Sequence, residues 1–314
     1  MDRKRKINKL SIVIPVYFNE ENLYPLYDSI KAEVFDKVSY DCEVVMVNDG
    51  SKDRSWEIIS ELAARDDRIK GYALSRNFGS HAAILCGLAH ATGDCAVVKA
   101  ADLQEPTGMI LTMVEEWEAG NNVVLAVREG REEGLSQTAF ANLYYGIVRK
   151  FALPEMPKTG FDVYLVDRKV IEVLDKLDER NSALTGQILW SGFKTKEVKY
   201  VRQARTAGKS RWTLHKKIRL VMDTLFSFSS VPITVVSTVG VCSFLGALVW
   251  ALIEIILKLN NLISVEGWTL LFIFQLGSFG VIMLTLGILG EYLWRTFDAG
   301  RNRPPYIVED ETGK

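Results

Sequence analysis

Two long apolar stretches close the chain, Val231 to Leu259 and Trp268 to Trp294. Each exceeds the roughly 20 helical residues needed to cross a hydrocarbon core of about 30 Å. Before them the apolar positions follow another pattern. SIVIPVY (Ser11 to Tyr17) and CEVVMVND (Cys42 to Asp49) are short β-branched runs, and between them Leu23, Leu26 and Ile30 recur at helical spacing. The alternation continues with Trp56 to Ala64 as helix, Ile69 to Leu74 as strand, His81 to Ala91 as helix and Asp94 to Ala100 as strand. This repetition predicts an α/β, Rossmann-like domain with a mostly parallel sheet, helices on both faces and a ligand site beyond the carboxyl ends of the strands. Two amphipathic stretches complete the pattern. Leu214, Ile218, Val221, Leu225 and Phe228 share one helical face while Lys216 and Arg219 lie on another, as in a helix lying in a membrane interface. Phe140, Leu143, Ile147 and Phe151 repeat the pattern just before LPEMP, and packing on the soluble core is the alternative for both.

Charge changes the picture. The formal net charge is only −1, yet Lys194 to Arg219 holds ten Lys/Arg and one acid directly ahead of the spans. Such a segment points to an anionic partner at the membrane surface, whether lipid headgroups or a substrate phosphate. Arg295, Arg301 and Arg303 follow the second stretch, whereas the link between the stretches carries only Lys258 and Glu266 near its ends. Positive charge on that side places both chain ends, and the soluble domain, in the cytoplasm at the inner (plasma) membrane. The basic start MDRKRKINKL lacks the apolar core of a signal peptide, which agrees with that orientation. Cys42, Cys86, Cys95 and Cys242 have neither C-x-x-C nor zinc-like spacing, so a disulfide framework is not expected. A buried helical hairpin within a soluble protein is the alternative to two spans.

The strand ends carry the candidate chemistry. They read PVYFNEE (Pro15 to Glu21), NDGSKDRS (Asn48 to Ser55) and AADLQEP (Ala100 to Pro106). Neither G-x-G-x-x-G in the first turn nor a Walker motif is present, which argues against nicotinamide, flavin and P-loop chemistry. An acid at a strand end can accept from a base N–H or a ribose hydroxyl, and another can hold a divalent cation against a diphosphate. Asp49 suits the first task and Asp102 the second. The plainer alternatives are that Ser51 or Asp53 caps the next helix, and that Asp102 caps the helix beginning near Pro106.

IVIPVYFNEENL, VVMVNDGSKDRSW, SRNFGSHAAILCGLAHATGD, ADLQEP and the tail GEYLWRTFDAGRNRPPYIVE together resemble the polyprenyl-phosphate branch of the family 2 inverting glycosyltransferases. The resemblance implies a GT-A domain over residues 1–210, an interfacial helix over 211–230, a transmembrane hairpin over 231–295 and a cytoplasmic tail over 296–314. It implies that Pro15, Tyr17, Glu20, Asp49 and Asp102 surround the nucleotide sugar, and that Asp102 and Gln104 hold Mg²⁺ or Mn²⁺ with the diphosphate. The family commonly shows D-A-D-L-Q, and Ala100 stands here in place of the first acid. Further along, the resemblance implies phosphate or acceptor contacts by Arg128, Arg131, Arg202, Arg205, Lys209, Ser210 and Arg211, with Asp162 as candidate base. Arginine forks suit phosphate oxygens, which donor and acceptor both present.

The reaction so implied is attack of a polyprenyl monophosphate on C1 of a nucleotide sugar, UDP-glucose first, with N-acetylglucosamine, galactose, mannose or an aminosugar as alternatives. A processive polysaccharide synthase is a rival, although those carry more spans and a Q-x-x-R-W motif where this chain has only SRW at Ser210 to Trp212. A catalytically silent nucleotide-binding scaffold is another. The resemblance also allows a homotetramer, and nucleic acid is not among the expected partners.

Overall fold

A computed structural model describes residues 5–129, 144–177, 183–202, 223–260 and 268–313. Eight strands form one sheet in the order β7-β5-β6-β4-β1-β2-β3-β8. They are β1 (Lys9–Val16), β2 (Asp41–Asn48), β3 (Ile69–Leu74), β4 (Cys95–Val98), β5 (Val123–Arg128), β6 (Val163–Asp167), β7 (Thr195–Tyr200) and β8 (Val308–Glu311). Pairings among β1, β2, β3 and β4 are parallel, as is β5 with β7. β6 runs antiparallel between β4 and β5, and β8 runs antiparallel along β3.

Helices cover both faces, as the residue pattern dictates. Along β1, Leu10, Ile12, Ile14 and Val16 enter one core with Leu23, Leu26 and Ile30 of α1 (Leu23–Glu33) and Ile59 of α2 (Ser55–Arg65). Val13 points the other way, into a second core with Ala83 and Leu88 of α3 (Ser80–His90). A period of two thus makes β1 the shared wall of two apolar layers. Gly87 of α3 meets Val13, where an added Cβ would lie 2.3 Å from its methyl, so the helix packs closely on the strand.

The amino-terminal end of the sheet is held by a buried acid. Glu43 accepts from Ser11 Oγ at 2.7 Å and Thr92 N at 2.6 Å, and pairs with Lys70 and Lys9 at 2.8 and 2.9 Å. Burial pushes its pKa up, but these donors outweigh burial and hold it at about 2. A depressed carboxylate contributes stability that is fully present above its ordinary range and is lost as pH falls toward 2. We therefore expect Glu43→Gln to lose on the order of 3 kcal/mol at pH 7. Denaturant unfolding of the detergent-solubilised chain at pH 7 and pH 3 checks this: the variant's deficit should shrink at the lower pH.

Beyond the sheet, Val231–Leu259 and Trp268–Gly300 are helices of 29 and 33 residues. Two windows within them, Val231–Trp250 and Phe274–Gly300, are long and apolar enough to cross a membrane and only 6% and 0% buried. This exposure disfavours the buried-hairpin alternative, since a core helix hides its apolar side chains. The chain is a membrane-associated protein.

After the second long helix the chain returns to the sheet. Ser75 N donates to the Ile307 carbonyl at 3.0 Å, Thr312 N to the Gly71 carbonyl at 2.9 Å, and Gly71 N to Thr312 Oγ1 at 2.8 Å. The segment expected as a separate tail from residue 296 thus includes the eighth strand of the sheet. Of the two expected interfacial helices, residues 144–151 and 223–228 are helical. Val148 is fully buried whereas Phe151 is exposed, and Phe226 is buried beside a half-buried Leu225. Phe140, Leu143, Leu214, Ile218 and Val221 lie outside the described residues.

Candidate functional site

The carboxyl ends of β1 and β2 are tied into one platform. Val16 is in register with Asn48, and Asp49 N donates to the Val16 carbonyl at 2.9 Å. Past the strand, Phe18 takes a positive φ of 55°, donates its N–H to Ser51 Oγ at 3.0 Å, and leaves Tyr17 37% exposed at the rim. Asn19 N donates to Ser55 Oγ at 3.1 Å, and Glu20 Oε2 accepts from Arg54 N at 2.9 Å. Pro15 lies within β1, opposite Val47. The Asn48–Ser51 turn is closed by Ser51 N donating to Asn48 Oδ1 at 3.2 Å. Gly50 is required there: its φ is 65° and an added Cβ would sit 2.5 Å from the Arg76 carbonyl carbon. Ser51 is therefore a brace between two loops, whereas Asp53 Oδ1 does accept from Ser55 N at 3.2 Å at the start of α2.

Asp49 is 2% exposed and already engaged. Its carboxylate accepts from Phe78 N at 2.7 Å, Gly79 N at 3.0 Å and Asn77 Nδ2 at 2.9 Å, so it organises the loop between β3 and α3. Burial raises its pKa, against the opposing pull of the two backbone donors. The nucleoside contact expected of Asp49 thus shares a carboxylate whose first task is loop order. Sequence reading assigned no role to Asn77–Gly79, although SRNFG after a strand is the kind of loop such an acid holds.

The third loop runs from β4 to α4 (Met109–Glu118). Asp102 does not cap α4, whose N-cap is Gly108, held instead by its N–H donating to Glu33 Oε2 at 2.7 Å. Leu103 takes a positive φ of 57°, a strained conformation for a branched side chain that turns the loop sharply beside Asp102. Gln104 N lies 3.4 Å from Asp102 Oδ1, while the buried Gln104 side chain accepts from Arg202 through Oε1. Beneath the loop, Lys99 Nζ donates to the Glu105 carbonyl at 2.6 Å and lies 3.9 Å from Glu105 Oε2, both side chains being buried. This pair was missed in the sequence, where a lysine interrupting CAVVKA was its signal.

Across the sheet, Arg128 ends β5 opposite Tyr200 of β7. It forms an ion pair with Asp162, and its Nε donates to Tyr200 Oη at 3.3 Å. Burial alone would lower the guanidinium's pKa, but Asp162 and Tyr200 outweigh it and hold it raised. Asp162 directly precedes β6, and its side chain is 55% exposed. Tyr200 is a further participant that had no motif to mark it. Arg131, Arg205, Lys209, Ser210 and Arg211 lie outside the described residues.

These loops all open on one edge of the sheet, because β6 runs antiparallel and so delivers Asp162 to the edge where β4 and β5 end. No group of three or more His, Cys, Asp or Glu able to hold a metal ion occurs among the described residues. A hard divalent cation still fits one carboxylate, since Mg²⁺ commonly takes a few protein oxygens and completes its shell with water and substrate phosphates. Asp102 supplies such an oxygen, whereas Gln104 Oε1 is already shared with Arg202.

Residues 11–172 match the family model described as glycosyl transferase family 2. The chain is 38% identical over 304 residues to an uncharacterized glycosyltransferase, YkcC, of Bacillus subtilis (strain 168), covering 96% of this chain and 94% of that protein. It is 35% identical over 312 residues to the bactoprenol glucosyl transferase of Shigella phage SfV, covering 98% and 100%. Among solved structures it is similar to glucosyl-3-phosphoglycerate synthase from Mycobacterium tuberculosis in complex with Mn²⁺, UDP and phosphoglyceric acid, at 15% identity over 70% of this chain and 78% of that one, with a TM-score of 0.47. With half the chain matched by the family model and nearly all of it by such relatives, the protein belongs to glycosyl transferase family 2.

Proposed function

We propose that this glycosyltransferase moves a single glucose from UDP-glucose to a polyprenyl monophosphate, with inversion at C1. One observation carries the reading: the likeness to a bactoprenol glucosyl transferase extends over 98% of this chain, taking in the two apolar helices as well as the sheet. A processive synthase or a silent scaffold has no comparable observation behind it.

In the proposed reaction an acceptor phosphate oxygen attacks C1, the bond from C1 to the UDP oxygen breaks, and its electron pair leaves with the diphosphate. The transition state has oxocarbenium character, with negative charge growing on the leaving group. A divalent cation, Mg²⁺ or Mn²⁺, neutralises that charge when bound, and Asp102 would hold it. Tyr17 and Glu20 at the β1 rim, with Pro15 beneath, and the Asp49-ordered loop form the nucleoside end. Arg128, kept cationic and oriented by Asp162 and Tyr200, faces phosphate oxygens as preorganised positive charge. A phosphate monoester is already anionic near pH 7, so a strong base is unnecessary. Asp162 accordingly serves as Arg128's partner as much as a proton acceptor.

Arg202 supports an acceptor site beside the donor site, because its contact with Gln104 lays the start of the basic segment over the β4–α4 loop. Arg131, Arg205, Lys209, Ser210 and Arg211 are the further phosphate-contact candidates by resemblance. The pairing of β8 with β3 supports the hairpin topology: the chain leaves the sheet before the first apolar helix and rejoins it after the second, so both ends share the cytoplasmic side.

The test is incubation of membranes holding the full chain with labelled UDP-sugars, polyprenyl phosphate and Mg²⁺ or Mn²⁺. One glucose per lipid phosphate is expected. A lengthening polymer, or nucleotide binding with no transfer from any donor, would overturn the proposal.

A further inference from the structure

The short helical segment 223–228 stands between the catalytic domain and the second apolar helix, and it contacts both. Toward the catalytic domain, Thr224 is 1% exposed and its Oγ1 lies 3.4 Å from Tyr144 Oη. Phe228 packs on Gly186 so closely that a Cβ there would fall 2.3 Å from its ring, and any larger residue would push the segment away. Toward the apolar helix, one side chain gathers the contacts. Arg295 pairs with Asp223 at 2.7 Å through Nη2, donates to Ser227 Oγ at 3.2 Å through Nη1, and pairs with Glu291 of its own helix at 2.9 Å through Nε. Its guanidinium also lies 5.3 Å from the Phe226 ring centroid, and Phe226 meets Tyr292 edge-on at 5.3 Å.

Each arm of the fork thus has its own partner, and the plane is packed beside a ring. That geometry fixes rotation as well as distance, which a lysine ammonium would not. The site is partly dry, with 14% of the Arg295 side chain exposed, so the pairing with Asp223 escapes much of the screening that weakens surface ion pairs. Arg295 lies near the end of Trp268–Gly300 that leads back to β8, while the segment it grips leads into Val231–Leu259. Both chain crossings between sheet and hairpin are therefore joined at this one residue.

We propose that Arg295 is a positioning residue that locks the membrane hairpin onto the 223–228 segment and so holds the catalytic edge at one height above the lipid. This rests on the reading that the acceptor is a membrane-embedded phosphate. Such an acceptor diffuses within the bilayer plane but keeps its phosphate at the height of the membrane surface, so tilt of the domain or a change in its height separates the phosphate oxygen from C1. A misplacement of about 1 Å is enough to lower a rate by roughly 10²-fold.

The experiment uses the full chain in lipid nanodiscs, comparing wild type with Arg295→Gln and Arg295→Lys. Spin labels on the exposed native Cys242 and on Glu57→Cys of α2 report the distance between hairpin and catalytic domain. Wild type is expected to give a narrow distance distribution and Arg295→Gln a broad one, with Arg295→Lys between them. Transfer is measured in parallel to long-chain polyprenyl phosphate in the bilayer and to a short, water-soluble prenyl phosphate. In Arg295→Gln, kcat/KM for the embedded acceptor should fall about 10²-fold while that for the soluble acceptor stays within about twofold of wild type. An unchanged distance distribution, or equal losses with both acceptors, would overturn the proposal. Failure of wild type to use either acceptor would sink the acceptor reading alone, and the distance measurement would still decide the lock.

Discussion

Replacing Asp102 by alanine is expected to lower glucose transfer about 10³-fold or more with little effect on folding. The size follows from what surrounds it. Position 100 is alanine, so the loop offers no neighbouring carboxylate from that side. Glu105 cannot stand in, because it is 3% exposed and lies beneath the loop beside Lys99. Asp102 itself is not buried in either apolar core, and its removal forfeits only the long 3.4 Å contact with Gln104 N among the hydrogen bonds described above, while Gln104 keeps its contact with Arg202. Asp102→Asn keeps an oxygen but loses the charge, and should fall between wild type and Asp102→Ala. Initial rates at saturating donor across a Mn²⁺ titration are the measurement, with UDP binding by calorimetry and thermal midpoint as controls. Wild-type rates for Asp102→Ala would remove this residue from the site.

The fold was legible where local pattern decides it. Ile69 to Leu74 was expected as a strand and forms β3, and the helix expected over His81 to Ala91 is Ser80–His90. β8 was not legible, since VEDE has no apolar face and joins the sheet through backbone pairing with the open edge of β3. The reversed direction of β6 was also hidden, because VYLVD reads alike in either orientation until its neighbours are known. At the site, motif residues could be named because they end strands. Their mutual contacts could not: Asp49 serves a loop 28 to 30 residues away, and Asp162 pairs with an arginine 34 residues earlier. Such pairings depend on strand order, which spacing along the chain does not encode.

Strand order also explains why a charge can sit at the floor of the site, and Lys99→Met is the second substitution with a large expected effect. Lys99 follows β4, its N–H donates to the Val13 carbonyl at 3.0 Å, and its side chain is 1% exposed. Burial lowers its pKa, against the pull of Glu105, Asp102 and Glu33. Burial likewise raises that of Glu105, against the opposing pull of Lys99 and, more weakly, Arg202; among the described residues its buried Oε2 has no hydrogen-bond partner, and the Lys99 ammonium lies 3.9 Å away. Methionine matches the lysine stem in size but leaves both this carboxylate and the Glu105 carbonyl without their cation. Removing one partner of a buried pair costs about 3–5 kcal/mol, which for a domain of this size lowers the thermal midpoint by roughly 10 °C. Replacing both partners, as in Lys99→Met with Glu105→Leu, should recover about half of that loss, because the stranded carboxylate disappears while the carbonyl still lacks its donor. Thermal unfolding of the two single variants and the double variant, read as a double-mutant cycle in detergent, measures the coupling directly. A single Lys99→Met variant as stable as wild type would mean that the pair does not hold the β4–α4 loop, and additive losses in the double variant would show that the two charges act independently.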